Sequence, residues 1–316
     1  MLKRIGQIDG VKLYDIVKSR ENIEEAIRLA CKDHAKDPAV IKIKENPEPY
    51  IQAIQQILDD KSYHPSKYFF RVIYERGKKR KLCYTRTFPD RMIQHCVFNV
   101  VAPILHSTIP TCSYAGVKGR GIHLCRTHIE EDLKEDRKGM KYCLKLDVYH
   151  YFPSVNRDLL FEMVKSKIKD CDVLKLIATI IYECPNKNGL PIGLYSSQIL
   201  STFFLSDLDR YCKQILKIAH YYRYMDDIVL FSNSKEILWK ELELIRDFLH
   251  DKKLRIKGNY AVFPIVKRRL DFIGYVFGLH NVMVRKRTKI SYIRSCNAII
   301  RALSHHVKIT MHMLRS

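Results

Sequence analysis

The chain has 316 residues, 47% of them apolar, which is enough for two or three packed subdomains and excludes a disordered tail. Lys and Arg number 56 against 34 Asp and Glu, a formal charge of +22, so nucleic acid is the first expected partner and an anionic membrane surface the second. No apolar run approaches the ~18 residues of a spanning helix, and "MLKRIGQIDG" has no signal-peptide core, which predicts a cytoplasmic chain with no membrane segment. Ten cysteines are never closer than 13 residues, which excludes a CxxC zinc knuckle and predicts free thiols packed as small hydrophobes.

In chain order, helical spacing appears at 21–34 and 47–60, the second opening on a proline start signal. "KYFFRVIYERGKKRKLCYTRTF" (67–88) reads as two strands around the tip "ERGKKRK". Residues 90–109 form a mostly apolar helix, with a break expected near Pro103. "KYCLKLDVYHYF" (141–152) reads as a strand and 157–183 as helix. "GLPIGLYSSQ" (189–198) is a Gly/Pro loop running into a long helix to 216. Two strands flank Asp226 and Asp227, an amphipathic helix covers 237–254, a short strand pair covers 270–278, and the basic tail 288–316 is expected to be helical. Helices mixed with hairpins predict an α+β chain.

The acidic pair lies in "HYYRYMDDIVLF" (220–231). An isolated Asp-Asp is an ordinary solvated turn. Here Tyr222, Tyr224, Ile228, Val229, Leu230 and Phe231 predict a hairpin buried on at least one face, where adjacent carboxylates repel unless a cation lies between them. Asp147 ends a strand of similar character. If the strands are neighbours, the three carboxylates form one cluster able to hold two Mg2+ ions about 3.5–4 Å apart for phosphoryl transfer. His123, Cys125 and His128 lack the helix-face spacing and further ligands of a metal site, so packing or template contact is expected of His123.

These residues resemble a known family. "YMDD" between strands, the upstream Asp147 to Phe152 motif, the intervening Gly/Pro loop and "FIGY" (272–275) stand in the order of a reverse transcriptase, and "RGKKRKLCYTRTFPDRMIQH" (76–95) resembles its fingers hairpin and following helix. The resemblance covers roughly 60–280. It implies a right-hand polymerase with an N-terminal helical extension (1–45), fingers (46–140), a palm of antiparallel sheet flanked by helices (141–280) and a short helical thumb (281–316). It implies an RNA-directed DNA polymerase using template RNA, a DNA or RNA primer and deoxynucleoside triphosphates. Two Mg2+ ions, with Mn2+ able to substitute, would bind Asp147, Asp226, the Val148 carbonyl and, secondarily, Asp227.

By the same resemblance, Phe152 lies under the sugar, where it excludes a 2′-OH; the alternative is an ordinary core aromatic. Arg80 first and Lys81 second grip the triphosphate, the alternative being a charge run on template phosphates. Ile192, Gly193 and Gln198 lie against the nascent base pair, with Ile192 standing where most relatives carry Gln and alternatively packing on the next helix. Tyr224 and Met225, with Gly274 and Tyr275 of the primer-grip turn, contact primer or template. The Ile-Gly-x-x-x-Ser-Gln pattern and "SYAGVKGRGIH" (113–123) resemble the enzymes of diversity-generating retroelements, which make error-prone cDNA and work with a small accessory protein. No maturase domain, Cys-cluster endonuclease or Val-Thr-Gly of retron enzymes is visible. A defence-associated bacterial reverse transcriptase is the competing identity, and a non-catalytic RNA-binding scaffold the competing class. After "FIGYVFG" about forty residues remain, so the expected thumb is short, cut off or completed by a partner.

Overall fold

The computed structural model describes residues 4–32, 34–75 and 77–304. A small hairpin, β1 (Gln7–Ile8) and β2 (Val11–Lys12), leads into the helices α1 (Leu13–Val17), α2 (Arg20–Ala30), α3 (Pro38–Glu45) and α4 (Glu48–Asp59). In α2 the Ser19 hydroxyl accepts from the Asn22 N–H, and Ile23, Ala26, Ile27 and Ala30 form one buried stripe. Sequence periodicity missed α1 and α3, which are only five and eight residues long.

The hairpin β3 (Phe69–Glu75) and β4 (Lys78–Tyr84) pairs Glu75 with Lys78, and Gly77 stands at φ 76° in the turn. The basic run 78–81 is therefore strand rather than tip. Next come α5 (Met92–His106) and α6 (Ile122–Glu135). Pro103 lies inside α5 without ending it, one turn before the helix stops. The predicted strand 141–152 is shorter: β5 (Tyr142–Asp147) ends at the carboxylate, His150 turns at φ 43°, and α7 (Tyr151–Ser154) follows. The Tyr151 hydroxyl donates to the Ser201 carbonyl at 2.5 Å, an anchor that an extended strand does not provide.

The single helix expected over 157–183 is two, α8 (Arg157–Lys165) and α9 (Cys171–Tyr182), because Asp170 caps a new start by accepting from the N–H groups of Asp172 and Val173. The long helix expected to 216 breaks into α10 (Tyr195–Phe204), α11 (Ser206–Arg210) and a wider π-type turn at Tyr211–Ile215. The remaining elements are β6 (His220–Tyr224), β7 (Asp227–Ser232), α12 (Lys235–Asp251), β8 (Ala261–Pro264), β9 (Leu270–Phe272), β10 (Tyr275–Phe277), β11 (Val282–Val284) and α13 (Lys286–Ser304). The predicted tail beyond 304 lies outside the described residues.

A four-stranded antiparallel sheet in the order β6–β7–β5–β8 positions the acidic residues. Alternation sends Leu144, Leu146, Tyr221, Ile228 and Leu230 into the main helical core. Cys143, Tyr222, Val229 and Phe231 go to the other face, beneath α6 and the β9–β10 hairpin. Both faces are thus covered, and the acidic residues stand at one end of the sheet. All ten cysteines are free, most of them buried. No helix among the described residues is long and apolar enough to cross a membrane.

Candidate active site

The pairing register puts the carboxylates together. Asp147 pairs with Asp227 across β5 and β7, and Tyr224 pairs with Asp227 across β6 and β7. Met225 turns the chain at φ 56°, and the Val148 N–H donates to the Asp226 carbonyl at 3.3 Å, which ties the end of β5 to the turn. The segment before β8 closes the other side: the Lys257 N–H donates to the Asp147 carbonyl, and the Tyr149 N–H to that of Arg255, both at 2.8 Å. Lys257 Nζ lies 3.3 Å from the Asp147 carboxylate.

Burial first, and then the charge of Asp147, push Asp226 up to about 7. Burial raises Asp227 too, opposed by the Lys145 charge and reinforced by that of Asp147. Among the described residues no three His, Cys, Asp or Glu side chains are grouped so that they could hold a metal ion, the three carboxylates included. The oxygens that would be offered to an ion here are the Asp147 and Asp226 carboxylates, with the carbonyl of Val148, the residue after Asp147. Such a set fits Mg2+, which keeps waters and takes one or two carboxylates together with substrate phosphates.

The remaining candidates reach this centre by separate routes. Gly189 stands at φ 67°, and a Cβ there would meet the Pro153 carbonyl at 2.2 Å, so the loop can lie directly on the turn carrying Phe152. Phe152 itself packs on the core and edges against Tyr151 at 5.7 Å. Gln198 accepts the Thr202 hydroxyl on its carbonyl, and Thr202 in turn reaches the Met225 sulfur at 3.5 Å. The Ile192 carbonyl accepts the Cys83 N–H at 2.7 Å, and a Cβ on Gly193 would meet the Cys83 carbonyl at 2.5 Å. The hairpin is seated on the loop at this point.

Arg80 and Lys81 face opposite sides of the hairpin. Successive strand residues face opposite ways. Lys81 lies over Phe70, 4.0 Å from its ring centroid, whereas Arg80 shares the face of Phe69, Arg71, Leu82 and Tyr84, which line a cavity of about 1010 Å3 reaching Gly193. Gly274 (φ 88°) lies in the β9–β10 turn, and the Tyr275 hydroxyl meets His123 Nδ1 at 3.1 Å. His128 Nδ1 meets the Tyr114 hydroxyl at 2.8 Å and Cys125 is buried, so these two serve packing, whereas His123 is exposed.

The sequence pattern described as reverse transcriptase (RNA-dependent DNA polymerase) matches residues 73–277, from β3 to β10. The chain belongs to the reverse transcriptase family. It is 26% identical over 168 residues to the retron Ec83 reverse transcriptase of Escherichia coli, covering 49% of this chain and 53% of that one. It is 24% identical over 177 residues to the group II intron-encoded protein LtrA of Lactococcus lactis, covering 53% of this chain and 29% of that one. It thus aligns with about half of the first relative and under a third of the second. Among solved structures it resembles telomerase from Candida albicans in complex with a telomeric RNA fragment (TM-score 0.55, 12% identity, 72% of this chain and 48% of that one) and apo telomerase from Candida tropicalis (TM-score 0.52, 13% identity, 69% and 48%). The fold is the right-hand polymerase fold.

Several site residues of this reverse transcriptase were not legible as such. Lys257 and Lys145 lie in ordinary charged contexts, and only the fold brings them to Asp147 and Asp227. Arg223 and Asp209 are fully buried and paired. The one clue was an arginine between the apolar strand residues Tyr222 and Tyr224.

Proposed function

We propose that the chain is an RNA-directed DNA polymerase, with template RNA, a primer and deoxynucleoside triphosphates as its substrates. The observation carrying this is the strand register that sets Asp147 opposite Asp227, with Asp226 in the turn beside them, at the sheet end of a reverse transcriptase family member. Two Mg2+ ions, or Mn2+ in their place, would be held by Asp147, Asp226 and the Val148 carbonyl with Asp227 beside them, and would supply charge stabilisation to phosphoryl transfer. Lys257 offsets the charge of Asp147. Arg80 binds the triphosphate, Phe152 supports the deoxyribose, and Ile192, Gly193 and Gln198 flank the nascent pair. Tyr224, Met225, Gly274 and Tyr275 hold the primer strand. Residues 46–140 act as fingers, 141–280 as palm and 281–316 as part of a thumb, after an N-terminal extension of 1–45.

The Ile192-Gly193 and Ser197-Gln198 pattern supports the finer reading of an error-prone enzyme of a diversity-generating retroelement, with a small basic accessory protein as a further partner. The retron relative is compatible with a second reading, a bacterial defence enzyme. The test is primer extension by purified protein on an RNA template. Extension is expected with deoxynucleotides and Mg2+, and none after chelation. Chelator-resistant extension, or none under any condition, contradicts the proposal. Errors concentrated opposite template adenines separate the first reading from the second.

A further inference from the structure

We propose that Arg223 and Asp209 are positioning residues that hold the Met225–Asp226 turn in its metal-binding geometry; this rests on the reading of Asp226 as a metal carboxylate. Asp147 and Asp227 stand on the sheet face that carries Val229 and Phe231. Arg223 stands on the other face, inside the main core, and is fully buried with Asp209. Its Nε donates to Asp209 Oδ1 at 2.7 Å and its Nη2 to Oδ2 at 2.5 Å, a two-point fork. The same guanidinium donates from Nη1 to the Met225 carbonyl at 3.0 Å and from Nη2 to the Thr202 carbonyl at 3.3 Å. Tyr221 donates its hydroxyl to Asp209 at 2.9 Å. One planar cation thus links α10, α11 and the residue directly before Asp226.

A buried ion pair alone is weak support for stability, because desolvation offsets its attraction. Geometry gives this pair a second role. Met225 has φ 56°, a region that residues other than glycine seldom occupy, and it is held at its carbonyl by Arg223 and at its sulfur by Thr202. The strand before it is fixed as well: the Arg223 N–H donates to the Cys112 carbonyl, and the Tyr114 N–H to the Arg223 carbonyl, both at 2.9 Å. The turn is therefore over-determined from the core side, while Asp147 and Asp227 stand on the other. A lysine matches the charge but is a single point, unable to span Asp209 and the Met225 carbonyl together.

The test uses the full chain with Arg223→Lys and Asp209→Asn, the second replacing one fork acceptor by a donor while leaving Tyr221 a partner. Asp226→Ala serves as the reference. Folding is followed by circular dichroism and melting, RNA affinity by titration, and primer extension as a function of Mg2+ concentration. For folded Arg223→Lys, RNA affinity should stay near wild type, while the Mg2+ half-saturation rises and the extension rate falls, together about ten- to hundredfold. Mn2+ should recover part of the loss. Asp209→Asn should move the same way by less, and it decides the matter if Arg223→Lys does not fold. A folded variant with a lower melting temperature but wild-type Mg2+ dependence and rate makes the pair merely structural and overturns the proposal. Wild-type extension by Asp226→Ala instead removes the active-site reading itself.

Discussion

The β5–β7 end of the sheet and the β3–β4 hairpin meet the same loop, yet they are built in opposite ways. At the sheet end, both faces are covered, the turn is hydrogen-bonded from α10 and from the Arg223 fork, and Asp147 stands opposite Asp227. The hairpin leaves Phe70, Val72 and Tyr74 exposed beside the exposed cations Lys79, Arg80 and Lys81. The difference separates two tasks. Aligning reacting oxygens needs groups fixed before substrate arrives. Gripping a polymer needs a basic, aromatic arm whose burial is completed by the polymer.

The largest effect expected from this contrast is on binding. If the hairpin, "VKRR" (266–269) and "VRKRTK" (284–289) bind RNA phosphates as proposed, affinity should fall with salt. With about four phosphates held, the loss is on the order of a hundredfold between about 50 and 200 mM. A nearly flat salt dependence in a filter-binding titration would break the assignment of the arm.

The seat between the two regions comes next. Gly193 has φ 112° and leaves no room for a Cβ against the Cys83 carbonyl. Gly193→Ala should lift the hairpin base and lower the extension rate about tenfold or more, with melting changed little, since the site is at the surface and a 1 Å misplacement is costly. An unchanged rate would mean that hairpin and sheet act independently.

How much of this was legible in the sequence follows the same division. Asp147, Asp226 and Asp227 stood out because acids between strand-forming residues are chemically anomalous, and β5 to β7 followed from alternation. The end of β5 did not, because Val148 to Phe152 have strand composition while the Tyr151 anchor to α10 turns the chain. Helix α6 went unseen because Cys125, Ile129 and Leu133 are its only buried apolar residues among many charges. The Arg223–Asp209 pair spans 14 positions and has no local signature. Arg80 and Lys81 were read together although the pleat separates neighbours.

A smaller effect sharpens the electrostatics of the sheet end. Asp226 is raised above its unfolded value, so the folded chain keeps a proton that the unfolded chain loses near ~3.9. That stabilisation is complete below the unfolded value and is lost as pH rises through about 7. Without Mg2+ the melting temperature should fall between about pH 5 and 8, Mg2+ should restore it at the upper end, and Asp226→Asn should remove most of this dependence. A melting temperature that rises over that range in the wild type and not in the variant would reverse the sign and contradict the account.

The smallest effect concerns fidelity. With Ile192 placed at the nascent pair as proposed, its side chain offers no amide there, and a check worth about one hydrogen bond, ~0.5–1.5 kcal/mol, would be absent. Ile192→Gln should lower errors opposite template adenine by several-fold, read by sequencing cDNA from one adenine-rich template. Equal error rates would mean that Ile192 only packs.

The central claim is that the fixed carboxylates carry the chemistry while the basic arm carries the binding. Single-turnover primer extension by Asp147→Ala and Asp226→Ala, run beside RNA titrations of the same proteins, tests it directly. The account predicts extension reduced by about a thousandfold or more, with RNA affinity within about threefold of wild type. Extension at the wild-type rate with Mg2+ in either variant would contradict it.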